Sequence, residues 1–252
     1  MTTSFMFLSI LLATLLGSAI SMAGGVLLLW KESFIRRFSL VLVSFAAGSL
    51  LGAAFLELLP EAIEEIGNMT TVGVAVILGI LALFLFEKVL EWYHCHDQET
   101  CDYHSFSGTV LFGDSLHNFI DGVIIALSFG VGGPQVGIPT TLAVFAHEIP
   151  QEIGDFGVLY HAGYSRKKVV LYNAFSALMA VVGGVVGYFL FHSIGPFVGV
   201  LLAWAAGSFI YISVSDLLPE LRHKSGKIEI FHLISIVLGV LIIWGMGVYF
   251  PE

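Results

Sequence analysis

The chain has 252 residues, of which 57% are hydrophobic and 12% charged, with a formal net charge of −9 and a mean hydropathy of +0.93. Soluble domains carry about 25% charged residues, so this composition excludes a water-soluble globular protein and implies a chain that crosses a membrane repeatedly. The basic residues form no patch suited to nucleic acid, and the acids concentrate in or beside apolar segments.

Hydropathy and helix breakers divide the chain into eight expected spans, roughly 5–30, 39–59, 72–93, 108–129, 139–160, 168–191, 196–218 and 229–249. A hydrocarbon core about 30 Å thick needs about twenty apolar residues per helix, and the alternating ten-residue strands of a barrel are not seen. The expected fold class is an all-α polytopic membrane protein, with a single transmembrane domain over 1–252. The first span lacks a basic leading region and exceeds a signal-peptide core, so it reads as a retained span.

The basic residues orient the chain. Lys31, Arg36 and Arg37 lie between spans one and two, Lys88 near the end of span three, Arg166, Lys167 and Lys168 between five and six, and Arg222, Lys224 and Lys227 between seven and eight. All fall on one side, which the positive-inside rule makes cytoplasmic, with both termini outside. Small size and short connections point to a prokaryotic cell (inner) membrane.

Spans two and seven share a pattern. Ala46-Ala-Gly-Ser49 precedes Leu58-Leu-Pro-Glu61, and Ala205-Ala-Gly-Ser208 precedes Leu217-Leu-Pro-Glu220, at the same spacing. The two spans cross in opposite senses, so the expectation is an inverted repeat of spans one to three and six to eight around a central pair, a design transporters use for alternating access. Glu57, Glu61, Asp216 and Glu220 flank the repeat prolines, where acids would concentrate cations; they read equally well as solvated helix ends. Gly183, Gly184 and Gly187 suit close helix packing, and Trp30, Trp92, Tyr93 and Tyr249 suit interface anchors.

Between spans three and four, the expected cytoplasmic loop 94–107 holds His94, Cys95, His96, Cys101 and His104. Thiolate and imidazole suit zinc, but the spacing matches no closed zinc finger. The loop reads as a mobile metal acceptor or sensor, or as a merely solvated segment.

Spans four and five carry the chemistry. Asp114, His117, Asn118 and Asp121 fall within an arc of roughly 100° on one helix, and His147, Glu148, Gln151, Glu152 and Asp155 within roughly 140° on the next. Imidazoles, carboxylates and amide oxygens are the ligand set of a divalent transition metal, and in hydrocarbon they are costly unless they face each other or an ion. Pro150 interrupts the second helix, and Gly122 and Gly154 would keep the facing backbones close. In span six, Asn173 and Ser176 are neutral oxygen ligands for the route or helix-packing hydrogen bonders. Polar helix packing alone is the bland alternative. An enzyme alternative is a metalloprotease, since His147-Glu148 begins a His-Glu-x-x-His motif; Gln151 stands where the second histidine belongs. A metal-sensing receptor is the binding-only alternative.

The strings His117-Asn-Phe-Ile-Asp121-Gly122 and His147-Glu-Ile-Pro-Gln-Glu-Ile-Gly-Asp155 resemble the fourth and fifth transmembrane signatures of the ZIP (Zrt/Irt-like) family of divalent metal transporters. The resemblance covers essentially the whole chain. It implies a binuclear site, with His117, Asp121, His147 and Gln151 at one metal position and Asn118 and Glu148 at its neighbour, Asp121 able to bridge. It also implies import of zinc into the cytoplasm, with Fe2+, Mn2+ or Cd2+ as other substrates, by an elevator-like movement, often as a homodimer. Gln151 departs from the histidine or glutamate of other members, which bears on metal preference.

Overall fold

The computed structural model describes residues 3–29, 32–94, 98–225 and 230–249; within these, the side chains of 90–94, 98–106, 146, 147 and 222–225, among others, lie outside the description. The described chain is helical apart from short turns. In order come α1 (Thr3–Leu29), α2 (Glu32–Ala53), a π turn (Ala54–Leu58), α3 (Leu59–Ile66), α4 (Met69–His94), α5 (Gln98–Gly132) and α6 (Pro134–His161). Then follow α7 (Arg166–Phe189), α8 (Phe191–Ile194), a 3-10 turn (Gly195–Phe197), α9 (Val198–Tyr211), a second π turn (Ile212–Leu217), α10 (Leu218–Ser225) and α11 (Ile230–Tyr249).

Among the described residues, seven helices are long and apolar enough to cross a membrane, which makes this a multi-pass membrane protein. The expected fifth span, 139–160, lies within α6, which is long enough but carries Glu148, Glu152 and Asp155 and is not among the seven. The expected loop 94–107 is a correction: α5 already begins at Gln98. Extending an existing helix needs no new nucleus, so even this polar stretch joins the apolar helix behind it. His94, Cys95, His96, Cys101 and His104 cannot be placed against a site, because their side chains lie outside the description. The expected connection between spans four and five also shrinks, to Gly133 at φ 63°, a left-handed turn that suits glycine, with Pro134 opening α6.

The repeat seen in the sequence recurs as matched contacts. A Cβ on Gly48 would overlap the Ile236 carbonyl of α11, and a Cβ on Gly207 would overlap the Val76 carbonyl of α4. The reciprocal contacts match as well: Gly239 of α11 abuts the Phe45 carbonyl, and Gly79 of α4 abuts the Trp204 carbonyl. Phe45 and Trp204 each immediately precede an Ala-Ala-Gly-Ser run, whose closing serines donate back to those same carbonyls at 3.0 Å and 3.1 Å. The pairs α2–α11 and α9–α4 are therefore equivalent, and backbones meet because the absent Cβ lets them, where lipid offers no hydrophobic drive for association.

Both repeats break their α-helix at the same point. Leu59 N–H donates to the Ala54 carbonyl, and Leu218 N–H to the Ser213 carbonyl, each five residues back. The next residue is Pro60 or Pro219, which lacks an N–H and whose ring collides with the carbonyl four residues back. Widening the ladder into a π turn relieves that collision. Glu57 and Asp216 ride on these turns.

The helices group differently from a simple central pair. α5 packs most closely on α7, and α1 lies against both α6 and α7, so α1, α5, α6 and α7 form one bundle. Gly122 and Gly183 seat α5 on α7, against the Ala180 and Phe119 carbonyls. Ser18 of α1 donates to the Ala177 carbonyl of α7 at 2.8 Å. The second bundle comprises α2, α4, α9 and α11, and the two meet along α2–α6 and, less extensively, α4–α5 and α5–α9. Each repeat thus lends its first helix to the bundle that holds the polar stripes.

Candidate metal centre

α5 and α6 turn their polar stripes inward. Asp114, His117, Asn118, Asp121, Glu148, Gln151, Glu152 and Asp155 are all buried, none above 4% exposed. Such a concentration of carboxylates away from water is unfavourable without a cation or close polar partners.

Three of them converge. His117 Nε2 lies 3.4 Å from Asp121 Oδ2 and 3.3 Å from Glu148 Oε1, and ligand atoms of all three fall within 4.8 Å of one another. The one-turn spacing on α5 stacks His117 over Asp121, and Glu148 closes the group from α6. Charge-assisted hydrogen bonds prefer about 2.7–2.9 Å. Edges of about 3.3–3.6 Å are instead what a tetrahedral zinc shell gives when its nitrogen and oxygen ligands sit about 2.0–2.2 Å from the ion. Glu148 thus stands beside His117 and Asp121, where the resemblance had assigned it to the neighbouring position. The side chain of His147 lies outside the description.

The remaining stripe residues surround this group. Asn118 donates to Asp114 Oδ1 at 3.2 Å and to the Asp114 carbonyl at 3.1 Å. The Asp114 carboxyl also meets Ser176 and Asp155, and Ser176 exchanges a hydrogen bond with Ser115 at 2.9 Å. Among the described residues, both polar atoms of Gln151 and both carboxyl oxygens of Glu152 have no hydrogen-bond partner. Buried groups in that condition cost about 1–3 kcal/mol each, which a bound cation would offset at the Glu152 oxygens and Gln151 Oε1. Asn173 is fully buried and donates to the Val169 carbonyl at 2.8 Å, with Oδ1 left over.

The acids near the repeat prolines do not gather at this site. Glu61 lines a cavity of about 590 Å³ with Ser128 and Thr140. Glu57 lies beside Gly247, Asp216 is half-buried on its π turn, and Glu220 bonds to His161 of α6 at 2.9 Å.

The glycine expectation needs correcting. Gly122 brings α5 onto α7, and Gly154 brings α6 onto Ala46 of α2, so neither tightens the gap between α5 and α6. In lipid every face is apolar, so composition alone does not say which neighbour a small residue meets. Sequence reasoning also missed Phe209. Its ring lies 4.7 Å from the His117 ring, tilted by 52°, and is fully buried. It follows directly on the second Ala-Ala-Gly-Ser run, so the repeat was the available signal.

The sequence model of the family described as "ZIP Zinc transporter" matches residues 4–109 and 93–247. Human zinc transporter ZIP10 is 36% identical over 155 residues, 55% of this chain and 18% of that protein. Human zinc transporter ZIP6 is 44% identical over 118 residues, 47% of this chain and 16% of that protein. Zinc transporter YKE4 of Saccharomyces cerevisiae is 31% identical over 216 residues, 73% of this chain and 62% of that protein. The chain thus spans less than a fifth of the length of the two human relatives. With the family's sequence pattern running through nearly all of its helices, the chain belongs to the ZIP zinc transporter family.

Proposed function

We propose that this chain imports zinc into the cytoplasm by alternating access, binding the ion on its way at His117, Asp121 and Glu148 with help from His147 and Gln151. The observation that carries this reading is the buried triad, in which the His117 nitrogen lies at zinc-shell edge lengths from both carboxylates. The zinc transporters to which the chain is similar lend it support. In this reading α6 crosses the membrane as an eighth span, its acids facing the site, and the basic connections lie in the cytoplasm with both termini outside.

The division into two bundles supplies the moving parts. The ligands ride on α5 and α6, backed by α1 and α7, while the glycine-locked pairs α2–α11 and α4–α9 form a frame. Sliding one bundle against the other carries the ion between faces. A proteolytic role fits less well, because Glu148, the would-be base, sits among the ligand atoms, and Gln151 is a poor third ligand.

The test is uptake into proteoliposomes across zinc, iron(II), manganese and cadmium. Wild type should accumulate zinc and His147→Ala should not; equal uptake by the two, or binding without flux, would remove the reading.

A further inference from the structure

We infer that the corner where α6 ends is a proton-operated catch between α6 and the pair α2 and α10, tightened by acid on its side of the membrane and loosened as pH rises. His161, the last residue of α6, carries the inference because both of its ring nitrogens are engaged. Nε2 lies 2.9 Å from Glu220 Oε1 of α10, and Nδ1 lies 3.1 Å from Ser39 Oγ of α2. α10 in turn packs on α2.

A carboxylate only accepts, so Nε2 carries a hydrogen whether the ring is neutral or charged. The two states differ at Nδ1. In the neutral ring it accepts from the Ser39 hydroxyl, and in the imidazolium it donates to the same oxygen once that hydroxyl has rotated. Proton uptake therefore breaks neither contact and turns the Glu220 bond into an ion pair. The two side chains are only 7% and 16% exposed, so salt screens their attraction less than it would between solvated charges. Imidazole is the side chain that gains such a charge between about pH 5 and 8.

Glu220 sets the direction of the response. Tyr160, Tyr164, Arg166 and Lys167 border the same hollow as His161. In neighbouring turns stand Arg36 and Arg37 of α2 and Arg222, His223 and Lys224 of α10, whose side chains lie outside the description, and Asp216 on the π turn one turn before Glu220. The cations oppose a further positive charge, whereas the carboxylate in contact with the ring favours it. With that contact made only when the catch is shut, the shut form binds the proton more tightly, so the catch strengthens below the imidazole range and weakens above it. Its bearing on transport rests on the function proposed above: there the end of α6 faces the cytoplasm, and an acidic cytoplasm slows the sliding that releases zinc.

Amide hydrogen exchange at the end of α6, measured on the purified chain without zinc, tests the catch independently of that function. Protection in wild type is divided by protection in Glu220→Gln at the same pH, which cancels the intrinsic pH dependence of exchange. The ratio should be roughly fivefold larger at about pH 5.5 than at about pH 7.5, as between a neutral and a charged donor. In a His161→Gln background, or in His161→Asn should the glutamine variant not fold, the Glu220→Gln ratio should be the same at both. A wild-type ratio that is flat or falls at the lower pH would overturn the proposal, and so would a rise that persists without the imidazole.

Discussion

His161, the last residue of α6, contacts Glu220 of α10 at 2.9 Å through Nε2 and Ser39 at 3.1 Å through Nδ1. It thereby ties the end of the bundle that holds the polar stripes to α2 and α10. Glu220 and Glu61 occupy equivalent places in the two repeats, yet Glu61 lines a cavity about 590 Å³ in volume while Glu220 meets α6. The repeats are alike in fold and unlike in what they touch.

This contact should act as a latch. A hydrogen bond to a charged group contributes about 1.5–3 kcal/mol, enough to shift a two-state balance by roughly tenfold or more. His161→Ala should raise amide hydrogen exchange at the end of α6 by about that factor, with Ser39→Ala having a smaller effect. Unchanged exchange in His161→Ala would show that the bundles are held together elsewhere.

The glycine contacts predict a contrast within one residue type. Gly48→Ala and Gly207→Ala push a Cβ into a backbone carbonyl and should each destabilise by about 1–3 kcal/mol. Gly73 and Gly245 have open space around a would-be Cβ, so alanine there should be neutral or stabilise by up to about 1 kcal/mol. Melting temperatures in detergent would check both halves; similar effects at all four positions would deny that the absent Cβ sets these contacts, and unequal effects at Gly48 and Gly207 would deny the equivalence of the two helix pairs.

Phe209 packs on the imidazole without offering a ligand atom. Phe209→Ala should lower stability by about 3–5 kcal/mol and weaken zinc binding, because His117 loses the wall that fixes its ring. Phe209→Leu should recover much of both. Zinc titration of the purified variants would separate this positioning role from ligation, since a ligand's loss would not be rescued by leucine.

Tyr211 donates to Glu87 across the α9–α4 pair. At the equivalent places of the other repeat stand Gly52 and Gly247, so this bond belongs to one half only. Tyr211→Phe should destabilise by about 1–3 kcal/mol, read as a lowered melting temperature, while Gly52→Ala tests close packing against Ile243 instead.

What the sequence disclosed follows from polarity. His117, Asp121 and Glu148 stood out because charge and imidazole are conspicuous in an apolar helix, and their periodicity put them on facing stripes. Paired motifs at equal spacing likewise revealed the repeat before the matching π turns and glycine contacts were seen. Partner choice was not legible. Gly122 and Gly154 meet α7 and α2, and Phe209 reaches His117, through shape alone, which lipid-facing composition does not encode. The helical start at Gln98 was hidden for a different reason: its polar residues read as a loop, although an adjoining helix extends through them at little cost.

Zinc uptake into sealed proteoliposomes by Asp121→Ala and Glu148→Ala, each beside wild type, tests the shared ion most directly. If one cation bridges α5 and α6 through these carboxylates, each variant should lose transport by about a hundredfold or more while eluting as a folded protein, since each removed ligand is one of few holding the ion. Wild-type rates in either variant would mean that the ion passes without these carboxylates.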